Sequence, residues 1–281
     1  MKKKIAWITD STCSLPKEFI EENDVYVLPI NIIFGSEVYR EGVDISNEDF
    51  YEKLKATNVS PTSSQPNIAE MLSLYETLKD EYEEAIAIHC SSKLSGTLRT
   101  SESIAQEAGL PMTVIDSKIG SHPLGYMLKE GIRLEKKGFS KEDIVIHLNG
   151  LADKSRLIFT PSNMDQLKKS GRVSAAESFF GNLLKIRLII EFDGKGSLDA
   201  TEKIRTESKV KARLFEKFDS AYQTGVLTVS VLHAHDLEKA FKWQQELLQK
   251  YPGLDIEITM LIPVVGTHAG YGTMGLSWVE K

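Results

Sequence analysis

Only two cysteines, Cys13 and Cys90, occur in the 281 residues, too few for a disulfide framework and in keeping with a reducing compartment. Long apolar runs are also missing. No window approaches the roughly 18 residues of a membrane span. Met1-Lys-Lys-Lys4 has the charge of a signal-peptide start, but the run Ile5-Ala-Trp-Ile8 ends at Thr9-Asp10, too soon for the apolar core of such a peptide. A cytoplasmic location is therefore expected. Positive charge is in deficit, with 34 Lys and Arg against 40 Asp and Glu and a net charge of −6. Without long basic blocks, that balance speaks against nucleic acid as a partner. Internal repeats and Gly/Ser-rich linkers are lacking as well. A 41% hydrophobic and 26% charged composition is that of a globular chain, long enough for one large or two medium domains.

The most informative stretch is Ala85 to Ser101. Ala85-Ile-Ala-Ile88 is an unbroken apolar run, the pattern of a strand buried on both faces of a parallel sheet. Ser91, Ser92, Ser95 and Thr97 then cluster around Gly96, and a helical periodicity begins at Leu98. In open α/β sheets ligands bind outside the carboxyl ends of the strands, where a following helix offers unpaired N–H groups. A carboxylate or phosphate would suit such a place, with Lys93 nearby. The same serines could merely cap the helix. One cap needs one hydroxyl, and here there are four.

In chain order, strands are expected at Ile5–Ile8, at Val25–Phe34 interrupted by Pro29, and at Met112–Ile115. Helices are expected after Pro16, after the capping box Ser46-Asn-Glu-Asp49, and over 119–137 and 140–152. Ser60-Pro-Thr-Ser-Ser-Gln-Pro66 reads as a polar loop whose hydroxyls could reach a ligand or simply make a surface turn. The alternation makes residues 1–155 a mainly parallel α/β domain. Residues 156–281 differ. A short strand at Leu157–Thr160, a basic turn at Lys168–Val173, and a helix capped by Ser174 with Phe179, Phe180, Leu183 and Leu184 inward are followed by a hairpin of Arg187–Phe192 and Leu198–Arg205. Strands at 226–232 and 256–262 around a helix at 236–249, and a last strand at 276–279, complete a second α/β domain with an antiparallel or mixed sheet.

Six ordered motifs carry a resemblance: Thr9-Asp-Ser-Thr12, Pro61-Thr-Ser-Ser-Gln-Pro66, Ser91-Ser-Lys-Leu-Ser-Gly-Thr97, Leu167-Lys-Lys-Ser-Gly-Arg-Val173, Glu202-Lys-Ile-Arg-Thr206 and Gly266-Thr-His-Ala-Gly270. Together, over nearly the whole chain, the sequence resembles the DegV family. The resemblance implies a two-domain protein that binds one long-chain fatty acid, such as palmitate, and presents it to a separate fatty acid kinase for acyl-phosphate formation and phospholipid synthesis. It implies a non-catalytic carrier without cofactor or metal, with transient membrane contact. By the same likeness Thr62 and Ser95 would hold the carboxylate, with Ser63 and Ser64 nearby and Gly96 and Thr97 at the helix end beside it. Arg205 and His268 would line the opening facing the kinase. The chain departs from the family at Ser63, where threonine is usual, at Ile186-Arg-Leu188 in place of Lys-Pro-Ile, and at Tyr271.

Other signals weigh less. Gly270-Tyr-Gly-Thr-Met-Gly275 matches a dinucleotide fingerprint, but too few residues follow for the required helix and strand. His233 and His235, read as sharing one face of a strand, have no ligand cluster around them. Cys90 and His89 are adjacent, so they point to opposite faces and form no dyad. The competing functional readings are a serine hydrolase or acyltransferase using Ser95 with His268 as base, and a phosphate sensor using Ser91 to Thr97 as an anion nest. The first lacks a G-x-S-x-G elbow.

Overall fold

The computed structural model describes residues 2–174 and 186–281. The first half runs β1 (Lys3–Asp10), α1 (Lys17–Glu22), β2 (Val25–Leu28), β3 (Asn31–Phe34), β4 (Glu37–Arg40), α2 (Asn47–Ala56), β5 (Thr62–Ser64), α3 (Ile68–Glu81), β6 (Tyr82–His89), α4 (Thr97–Ala108), β7 (Met112–Asp116), α5 (His122–Lys136) and α6 (Lys141–Lys154). The second half runs β8 (Ser155–Thr160), α7 (Met164–Ser170), β9 (Val173–Ser174), β10 (Arg187–Phe192), β11 (Leu198–Ile204), α8 (Glu207–Thr224), β12 (Val226–His233), α9 (Leu237–Lys250), β13 (Ile256–Met260), α10 (Pro263–Ala269) and β14 (Met274–Glu280).

Three sheets result. A four-stranded sheet in the order β2-β1-β6-β7 is parallel throughout. Its central strand β6 is fully buried over Ala85 to Ile88, which is why that run shows no alternation. A seven-stranded mixed sheet in the order β13-β12-β14-β8-β10-β11-β9 forms the second half, and β4-β3-β5 make a small antiparallel sheet. The fold is thus α/β, as the sequence predicts. Helices α5 and α6 lie between the two large sheets and touch both. One core cluster runs from Trp7 through Leu128 to Phe159 and Val279, so the packing continues across residue 155. Gly131 permits this, because a Cβ there would lie 2.4 Å from the Trp7 ring.

Several expectations need correction. Val25–Phe34 is not one strand. Pro29 ends β2 at the edge of the parallel sheet, and Asn31–Phe34 joins the small sheet instead. The helix expected from 119 starts at His122, because residues 117–121 form a tight loop with Lys118 and Ser121 at positive φ. The polar loop at 60–66 contains β5, paired with β3. Ser174 lies in β9 beside Asp199, and the helix carrying Phe179, Phe180, Leu183 and Leu184 lies outside the described residues. His233 and His235 do not share a strand face: β12 ends at His233, and His235 sits in a turn at φ 61 with its ring against Tyr51 and Tyr271.

Candidate functional site

The carboxyl ends of β1 and β6 meet in a sealed polar cluster. Asp10 accepts hydrogen bonds from the Thr12 amide (3.0 Å), the Thr12 hydroxyl (2.5 Å) and the Cys90 amide (2.9 Å). His89 Nδ1 lies 3.1 Å from Asp10, His89 Nε2 lies 2.8 Å from Ser101 Oγ, and Ser101 Oγ lies 2.6 Å from the Tyr75 hydroxyl. Asp10, His89, Ser101 and Tyr75 are all 0% exposed. Burial by itself would raise the Asp10 carboxyl, but His89, the Thr12 hydroxyl and the Cys90 amide together hold it below its usual range. This cluster fixes where the two loops after β1 and β6 begin. It also spends the Thr12 hydroxyl on Asp10.

Next to it lies the main cavity, about 370 Å³. Its apolar walls include Ile30, Leu94, Leu157, Phe159, Val265 and Phe192, drawn from both halves. A polar wall is formed by Ser63, Ser64, Gln65, Ser95 and Gly96, with Arg172 and His268. Gln65 binds the two polar loops together. Its carbonyl accepts from Asn31 Nδ2 (2.8 Å), its side-chain oxygen accepts from the Thr100 hydroxyl (2.6 Å), and a Cβ at Gly96 would fall 2.6 Å from its Nε2. Gly96 is therefore a close-approach glycine. Ser95 Oγ accepts the Thr97 amide (3.2 Å) and lies 2.8 Å from Thr97 Oγ1, at the start of the twelve-residue α4, whose N-cap Gly96 offers no side chain. If Thr97 donates to Ser95, the Ser95 proton is left to face an anion, aided by the helix N-terminus.

Helix α10 brings the third part. His268 Nε2 is 3.1 Å from Ser63 Oγ. Burial, reinforced by the charge of Arg172, pushes the imidazole down to about 4, so it is neutral at ordinary pH. The helix is held from the first half by Glu41, whose carboxylate accepts from the Val264 amide (2.7 Å) and from the Ser11 hydroxyl. Burial raises that carboxyl to about 7 despite the two bonds. A small cavity of about 90 Å³ adjoins the polar wall and shares Ser63, Ser170, Arg172 and His268 with it.

The structure brings together most of the expected residues. Ser63, Ser64, Ser95, Gly96 and His268 all line the main cavity. Thr62 does not. It alternates outward in β5, is exposed, and borders only the small cavity. Thr97 is fully buried and supports Ser95. Arg205 is exposed just past β11 and borders neither cavity; the guanidinium at both is that of Arg172. In sequence Arg172 stands out only as part of the basic turn Lys168–Val173. Ser91 and Ser92 are committed elsewhere, to the Gly196 carbonyl (2.7 Å) and to Asp116 (2.5 Å). Tyr271 packs on Tyr51 and His235 and borders a separate surface cavity. Among the described residues there is no cluster of His, Cys, Asp and Glu able to hold a metal ion, and no helix is long and apolar enough to cross a membrane.

A partly open cavity between the two halves, apolar with one polar wall, has the lining suited to an amphipathic small molecule. The family model described as "Uncharacterised protein, DegV family" matches residues 4–281, and the chain belongs to the DegV family. A DegV domain-containing protein of Halalkalibacterium halodurans is 37% identical over 282 residues, 99% of each chain. Among solved structures, DegV of Bacillus subtilis, described as a fatty acid binding protein, superposes with a TM-score of 0.90 at 35% identity over 100% of both chains. A fatty-acid-binding DegV family protein of Streptococcus agalactiae superposes with a TM-score of 0.91 at 29% identity over 99% of both.

Proposed function

We propose that this protein binds one long-chain fatty acid, as its Bacillus subtilis relative is described as doing, and presents the carboxyl group to a separate fatty acid kinase. The observation that carries this reading is the pairing of an apolar cavity of about 370 Å³ with a hydroxyl-lined wall. Each methylene buried contributes about 0.8 kcal/mol, so the tail supplies most of the affinity. The carboxylate still needs donors, since leaving it unpaired in the cavity would cost several kcal/mol. Ser63, Ser95 and Ser64 are the hydroxyls at that wall, and they recognise a carboxylate without locking it in an ion pair. One oxygen then stays able to attack a phosphoryl donor, and Arg172 with Lys169 beside the small cavity supplies positive charge where that donor would approach. Thr62 would act at the rim and Arg205 on the outer, kinase-facing surface.

The hydrolase reading is less well supported. A base for Ser95 would have to reach its Oγ, whereas His268 bonds Ser63 and has Arg172, a cation, as its charged neighbour. The deciding measurement is mass spectrometry of lipid extracted from the purified protein. About one fatty acid per chain is expected. If none is found and added palmitate is not retained either, the carrier reading fails, and turnover of added esters would favour the hydrolase.

A further inference from the structure

Resting on the fatty-acid reading, we propose that Glu41 is a positioning residue for the polar wall of the cavity: it caps α10 from the other half of the chain, sets where His268 stands against Ser63, and thereby slows release of the ligand. Helix α10 has seven residues, and its own N-cap, Ile262, offers no side chain to the first turn. Pro263 has no amide hydrogen. The amides of Val265 and Gly266 both bond the Ile262 carbonyl, at 3.0 and 3.1 Å. That leaves Val264 as the first-turn amide for which the helix itself has no acceptor. Glu41 supplies one at 2.7 Å, across 223 residues of chain, from a side chain only 3% exposed.

The cap is fixed at its own end. The Glu41 amide donates to the Ile30 carbonyl at 2.9 Å, the Ile30 amide donates to the Ser11 hydroxyl at 3.1 Å, and that hydroxyl donates to the Glu41 carboxylate. What the cap holds is cavity wall. Val264 and His268 are four residues apart, hence on one face of the helix and about 6 Å apart along it, and both line the main cavity. The Tyr51 hydroxyl, which donates to the Leu261 carbonyl at 2.7 Å, anchors the segment before the helix but gives Val264 no acceptor. Without Glu41 the Val264 amide is buried and unpaired, and the first turn must move to find water or another partner. Gly266 packs the helix so closely on α2 that a Cβ there would lie 2.6 Å from the Phe50 ring. A helix of two turns seated that tightly moves as one body, and His268 moves with it.

The test uses delipidated full-length protein. Release of reloaded palmitate to excess albumin is timed, and the His268 ring is titrated by NMR in the unloaded protein, its signal identified by its loss in His268→Ala. Glu41→Met keeps the side chain's length and removes the acceptor. It should release palmitate at least about tenfold faster, and the imidazole, now reached by water, should titrate above about 4, toward its ordinary 6.5. Glu41→Gln restores an acceptor for Val264, with its amide nitrogen donating to Ser11, and should bring release back to within about threefold of wild type and His268 back to its wild-type titration. Circular dichroism establishes folding, and Glu41→Ala, which also lacks an acceptor, decides should Glu41→Met not fold. A folded variant without the acceptor that keeps either the wild-type release or the wild-type His268 titration overturns the positioning role and leaves the fatty-acid reading intact. A wild-type chain that retains no palmitate overturns the fatty-acid reading, and the His268 titration then decides on Glu41 alone.

Discussion

Among the serine–histidine pairs of the described residues, two invite comparison, one sealed and one reachable. In the sealed cluster, Ser101, His89 and Asp10 follow one another at 2.8 and 3.1 Å, the order of a hydrolase triad, yet each is 0% exposed. At the cavity, Ser63 and His268 are 3.1 Å apart where a ligand can reach them, but the charge beside the imidazole belongs to Arg172. A nucleophilic serine needs access and a carboxylate-oriented histidine in the same place. The chain separates the two properties. Hydrogen-bond distances alone would have selected the wrong pair; access and the sign of the third partner decide.

The largest expected effect breaks the sealed side. Asp10→Ala removes the acceptor for the Thr12 and Cys90 amides and the partner of His89, and leaves these groups buried without one. A cost of about 3–5 kcal/mol in unfolding free energy is expected, measured by urea denaturation. His268→Ala, at the half-buried cavity wall, should cost at most about 1–2 kcal/mol by the same measurement. Equal losses in the two variants would erase the distinction between a structural and a ligand-facing pair.

Glu41 sharpens the comparison, because it is a sealed carboxyl shifted the opposite way from Asp10. Burial raises it to about 7 from 4.5. A carboxyl raised on folding binds its proton more tightly in the folded state, so its contribution is complete below about 4.5, declines as pH rises, and is gone above about 7. That is of order 3 kcal/mol. Asp10, held below 3.8, contributes instead above its unfolded value and loses that contribution only in stronger acid. Between pH 4.5 and 7, wild-type unfolding midpoints should therefore fall more steeply with rising pH than those of Glu41→Gln. Superimposable slopes would show that Glu41 does not titrate in this window.

How far the sequence announced these sites depends on whether the signal was local. The buried strand over Ala85–Ile88, the caps at Ser46 and Ser140, and the hairpin around Asp193–Gly196 depend on near neighbours, and the structure has them there. What was illegible depends on contacts between distant residues. Nothing near Glu41 in the chain shows that Val264 will donate to it across 223 residues. The Asp-Ser-Thr after β1 and the Asp-Ser after β7 look alike in sequence, yet Asp10 is sealed while Asp116 holds Ser92 in a half-buried loop. Arg205 and Arg172 are both arginines at the end of a motif. Only the approach of α7 to α10 puts Arg172, and not Arg205, beside His268.

The smallest effects separate the polar wall from its rim. In β5, Ser63 bonds His268 at the cavity, and Thr62 is exposed at the rim. A hydrogen bond to a charged group is worth about 1.5–3 kcal/mol, so Ser63→Ala or Ser95→Ala should weaken retention of palmitate by at least about tenfold in a competition assay. Thr62→Ala and Arg205→Ala, acting where solvent competes, should change it by less than about threefold. Were Thr62→Ala to match Ser63→Ala, the carboxylate would sit in the small outer cavity bordered by Lys169 and Arg172. The whole ligand would then lie nearer the surface, and the retention series on these variants locates its carboxylate.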